Sequence, residues 1–151
     1  VNFIFTAAVL RVNRPNKVGR LYPREIVETA IKEAGDTILL VVTETDDWGG
    51  PMISLNKAVG EVNRLWIGDD DILRVQGRLF GDVAPLKGLS PDDVVRLVGR
   101  FKLVTVGQGA LGPEDQVLDG YRINGFLLAE ESNDEAAESI PAVVLPDGVG
   151  S

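Results

Sequence analysis

Short runs of β-branched and aliphatic residues, each cut off by glycine, proline, asparagine or aspartate, recur along this chain and constrain its fold more than any other feature. Phe3 to Val12 stops at Asn13-Arg14-Pro15-Asn16, where proline and asparagine favour a turn over a continued strand. Thr37 to Thr43 is too short for a helix and suits a buried strand. Val59 to Ile67 and Ile72 to Phe80 flank the turn formers Gly68-Asp69-Asp70-Asp71 and predict a β-hairpin. Phe101 to Val106, Gln116 to Ile123 and Phe126 to Ala129 complete the predicted strands.

Two segments have helical rather than strand spacing. After Pro23, Ile26, Val27, Ala30, Ile31 and Ala34 lie on one face, with Glu25 and Glu28 near the start and Lys32 and Gly35 at the end. Ser90-Pro91-Asp92-Asp93 supplies an N-cap hydroxyl, a first-turn proline and two acids ahead of Val94, Val95, Leu97 and Val98. About seven strands and two short helices predict a mainly β, α+β fold, a single closed or nearly closed barrel flanked by two helices. At 151 residues the chain suffices for one such domain. The expected division is a barrel over residues 1–131 and a tail over 132–151, acidic from Glu130 to Glu138 and then apolar.

Composition narrows the chemistry. The chain has no histidine and no cysteine, which removes the usual His-assisted serine and cysteine hydrolases, thiolate metal sites and disulfides. A net charge of −8 argues against phosphate-backbone binding, so nucleic acid is not an expected partner. Apolar stretches fall far short of the ~20 residues of a membrane helix, and no membrane association is expected. The charge is uneven: residues 1–35 carry six basic and three acidic side chains, whereas residues 114–151 carry Arg122 against nine acids. That asymmetry suggests contact between oppositely charged surfaces, within the chain or between copies.

Local motifs favour structural explanations. Gly107-Gln108-Gly109-Ala110-Leu111-Gly112 fits G-x-G-x-x-G, but Pro113-Glu114-Asp115 leads into a strand instead of the phosphate-binding helix of a dinucleotide fold. The expectation is a glycine-rich loop with no cofactor. Asp69, Asp70 and Asp71 lack the spacing of a calcium loop and read as a solvated turn, with no metal expected. Thr105 and Lys102 tempt as nucleophile and base, but a separation of three along a strand turns them to opposite faces. Trp48, beside two glycines, is a candidate anchor for a partner.

In order along the chain, these segments resemble the prohead maturation proteases of tailed bacteriophages, which share a β-barrel with the herpesvirus assemblin proteases. Asn16-Lys17-Val18-Gly19-Arg20-Leu21-Tyr22-Pro23-Arg24-Glu25 is similar to the family's N-x-x-G-R-x-Y-P segment. Ile53-Ser54-Leu55 with Val59-Gly60-Glu61-Val62 resembles its next strand, and Val117 to Leu128 its late strand pair. The resemblance spans roughly residues 3 to 134 and implies an assemblin-like barrel in a phage-head setting.

At the catalytic positions the residues depart from the family. Its histidine falls where this chain has Glu44-Thr45-Asp46-Asp47-Trp48, and its serine where this chain has Val104 and Thr105. Asp47, Val104 and Thr105 are therefore the expected degenerate site positions. The resulting expectation is no enzyme but a capsid decoration or cement protein in the virion, assembled in the host cytoplasm. Its expected partners are the major capsid protein and possible further copies of itself, through Trp48 and the tail residues Val143, Val144 and Leu145. The alternatives are a hydrolase using Thr105 or a serine such as Ser54 without histidine, and an internal scaffold or core protein of the head.

Overall fold

The computed structural model describes residues 2–44, 58–83 and 86–140, and the backbone of Val143–Val144. The strands β1 (Asn2–Arg11), β2 (Leu39–Val42), β3 (Ala58–Ile67), β4 (Ile72–Phe80), β5 (Lys102–Gln108), β6 (Arg122–Ala129) and β7 (Val143–Val144) form one sheet in the order β5-β6-β2-β3-β4-β1-β7. All neighbouring pairs are antiparallel except β2 with β6, where Leu40, Val41 and Val42 run parallel to Gly125, Phe126 and Leu127. The sheet curls into a half-barrel that brings β1 near β5, and the helices α1 (Arg24–Ala34) and α2 (Pro91–Val98) flank it. The mainly β, α+β barrel expected from the run pattern is the fold observed.

Alternation places one face of each strand in the core. Leu73, Val75 and Leu79 of β4 are fully buried, as are Val59 and Val62 of β3, Leu103 of β5 and Phe126 of β6. Helix α1 contributes Val27 and Ala30 and packs on β6 and β3. Helix α2 contributes Val94 and Val98, and the Ser90 hydroxyl accepts a hydrogen bond from the Asp93 N–H at 3.2 Å, the cap its sequence predicts. Among the described residues no helix is long and apolar enough to cross a membrane.

The aspartate run is a turn held by arginines. Asp71 sits at φ 63° and ion-pairs at 2.7 Å with Arg24, which also bonds Glu28 and the Gly68 carbonyl and so ties the start of α1 to the β3–β4 turn. Asp70 accepts two hydrogen bonds from Arg74, at 3.0 and 2.7 Å, and one from the Ile72 N–H. The Arg74 contact holds the Asp70 carboxyl down at about 2, below its ordinary 3.8. A folded-state value below the unfolded one means that Asp70 stabilises the fold fully above pH 3.8 and loses that contribution as pH falls toward 2. A carboxyl NMR titration should find its midpoint near 2, and Asp70→Asn should flatten the decline of melting temperature between pH 4 and pH 2. An ordinary midpoint would refute the pairing.

Two sequence expectations need correction here. The strands predicted at Gln116–Ile123 and Phe126–Ala129 are one strand, β6, starting at Arg122. Gln116 and Val117 form only isolated bridges with Leu21 and Leu111, and Gly120, at φ 92°, turns the chain before β6. Residues 132–140, expected to start a tail, are bonded into the barrel. Asn133 O accepts from Lys17 N–H, an Asp134 carboxylate oxygen from Arg11 N–H, Ala8 O from Glu138 N–H, and Phe101 O from Ile140 N–H. Ile140 is 1% exposed and belongs to the main core. The backbone of Val143 and Val144 pairs with Ile4 and Phe3 as strand β7.

Candidate functional site

Curling leaves a seam where the edge of β5 faces β1, and the segment Ser132–Asp134 crosses it. Two adjacent hollows of about 210 and 160 Å³ open along this seam, and Arg20, Tyr22 and Thr105 line both. The smaller hollow is completed by β1 residues Val9 and Leu10 with Val104, and the larger by the glycine-rich loop and Tyr121.

The family-like segment builds one wall. Asn16 Oδ1 accepts from the N–H groups of Val18 and Arg20, at 3.1 and 3.0 Å, while Asn16 N–H donates to Arg20 O. Gly19, at φ 85°, takes the left-handed conformation this tight loop demands. The loop thereby delivers Arg20 and Tyr22 to the seam, and Leu21 anchors it through main-chain bonds to Asp115 and Val117. The Arg20 guanidinium meets no acidic side chain among the described residues.

Tyr121 forms the floor. Its ring meets Tyr22 edge-on, centroids 5.6 Å apart, and a side chain at position 107 would lie 2.5 Å from its hydroxyl. The seating of Tyr121 thus excludes a side chain at 107 and leaves little room for one at 109, and the loop joins two strands, as its sequence context implies. Burial pushes the Tyr121 phenol pKa well up and the neighbouring Tyr22 adds to this, so the group stays a protonated O–H donor. Thr105 contacts it and offsets a little of that rise, yet the phenol makes no hydrogen bond of normal geometry and is buried unpartnered.

Val104 and Thr105, the degenerate site positions expected from the sequence resemblance, both lie half-buried in the seam. Asp47, Trp48, Leu145, the Ile53-Ser54-Leu55 match and the histidine-equivalent segment from Thr45 onward fall outside the described residues. Asp134 shares the smaller hollow, but its carboxylate accepts from the N–H groups of Arg11 and Ala136 and ties this segment to the end of β1. Sequence reasoning did not single out Arg20 or Tyr121 as site residues. Arg20 lay inside the quoted motif, whereas nothing local marked Tyr121.

No protein-family model matches the sequence, and no curated protein matches it. Among solved structures, the chain is similar to the bacteriophage T4 capsid assembly protease gp21, with a TM-score of 0.65 and 19% identity over 83% of this chain and 79% of that one. This likeness establishes a prohead-protease-like fold. It also corrects the expectation that the chain is no enzyme: the barrel is a protease fold, and missing histidine is not sufficient ground for setting enzymatic chemistry aside.

Proposed function

We propose that the chain is a bacteriophage head protein that holds an extended segment of the major capsid protein in the seam around Thr105, in a decoration or cementing role. The observation that carries this reading is the unfilled seam. It combines a sheet edge, β5, with hollows on either side of Thr105, and an extended chain can add to such an edge through main-chain hydrogen bonds. The likeness to a capsid assembly protease supports the phage-head setting. A second reading, hydrolysis at Thr105, is favoured by its hydroxyl lying in the seam at the position that matches the family's serine.

Both readings are tested by mixing the purified chain with capsid protein of the phage that encodes it. Thr105→Trp, which fills the hollows, should reduce binding at least tenfold. Undiminished binding overturns the seam as the contact. Mass spectrometry of the same mixtures decides hydrolysis: specific fragments that disappear with Thr105→Val support it, and intact capsid protein overturns it.

A further inference from the structure

The floor and mouth of the larger hollow gather donors that meet no acidic side chain among the described residues. The Tyr121 hydroxyl is a permanent donor, buried and unpartnered, and the polar side chain in contact with it is Thr105. A hydroxyl carries one proton and rotates, so a small closure of the Tyr121–Thr105 contact that lets the phenol donate to the Thr105 oxygen leaves the Thr105 proton available to a bound acceptor. Arg20 stands at the same hollow with a guanidinium that pairs with no acid among the described residues, in a chain whose net charge is −8. A hydroxyl donor and a planar cationic fork converging on one hollow suit a planar anion with two oxygens. A doubly charged phosphate would call for a second cation, and the nearby Lys17 ammonium is instead held at the Ser132 carbonyl, 3.4 Å away.

The hollow lies along the edge of β5, beside Thr105, Gly107 and Gly109, and among the described residues no main-chain bond other than those to β6 involves residues 102–108. A strand added there would present its end to Arg20 and Thr105. We propose that the seam captures the free C-terminal carboxylate of an extended polypeptide, with Arg20 and Thr105 as the two donors and Tyr121 as a positioning residue behind Thr105. This rests on the seam being a polypeptide groove and adds which part of the polypeptide it selects.

Three fluorescein-labelled peptides of alternating threonine and valine test it by fluorescence anisotropy with the full chain: one with a free C-terminal acid, one amidated, and one amidated with glutamate as the last residue. The acid should bind at least tenfold more tightly than either amide. Arg20→Met, at an exposed position, and Thr105→Val should each abolish that preference. Tyr121→Phe, checked for folding by its melting curve, should reduce the preference several-fold while leaving the amide's affinity unchanged. If all three peptides bind alike, the carboxylate capture falls and the groove stands. If the glutamate amide matches the acid, the ligand is a side-chain carboxylate and the proposal fails. A preference unchanged in Tyr121→Phe removes Tyr121 from the site. If none of the peptides binds, the groove reading falls and this inference with it.

Discussion

Cutting the chain after Glu131 is expected to unfold the barrel rather than release a tail. The cut removes Ile140, whose complete burial is worth ~2–3 kcal/mol, and the buried Ala137 beside it. It also strips the partner from Ala8 O, a buried carbonyl whose unpairing costs about 1–3 kcal/mol, and from the more accessible Arg11 N–H, Lys17 N–H and Phe101 O. Together these losses reach the lower end of the roughly 5–15 kcal/mol that stabilises an ordinary domain. The truncated chain should show no cooperative thermal transition, and Ile140→Ala alone should lose ~2–5 kcal/mol by denaturant titration. A truncated chain melting within a few degrees of the full one would show that the segment merely rests on the barrel.

Gly77→Ala is the second substitution with a large expected effect. Gly77 lies in β4 between Phe5 of β1 and Val62 of β3, and a Cβ there would run into the Glu61 carbonyl oxygen and close on the Val62 Cα. Both obstacles are main chain in a strand paired on both sides, so no rotamer change relieves them. Overpacking of this kind costs ~3 kcal/mol, which for a domain of this size lowers the melting temperature by roughly 6–12 °C. A melting temperature within 2 °C of the parent chain would show that β3 and β4 can separate locally.

The fold was legible where local chemistry decides structure. Ser90 caps α2, Gly35 ends α1 at a positive φ of 54°, and the aspartates between two β-branched runs make a turn. It was illegible where distant segments decide. Val117 and Leu118 have strand-like residues, but the turn at Gly120 keeps them from continuing β6. Ile140 follows a stretch whose Glu130, Glu131, Glu135 and Glu138 face solvent, and nothing in that pattern announces that Asp134 turns inward to staple β1. The seam was half visible. Thr105 could be located by resemblance, whereas its meeting with Arg20 and Tyr121 depends on how β5, β6 and the first loop assemble.

The parallel pairing of β2 with β6 has a kinetic consequence. Residues 58–80 can zip as a hairpin from contacts close in sequence, and β5 with β6 forms a second antiparallel unit across a longer connection. Those units are joined in the sheet by three parallel rungs, Leu40 to Gly125 through Val42 to Leu127, whose partners are separated by more than half the chain. Closing that loop loses chain entropy before any rung compensates for it. Assembly of the two units therefore belongs to the slow part of folding, and the pocket-bearing seam, which needs both units and the final segment, can exist only after it.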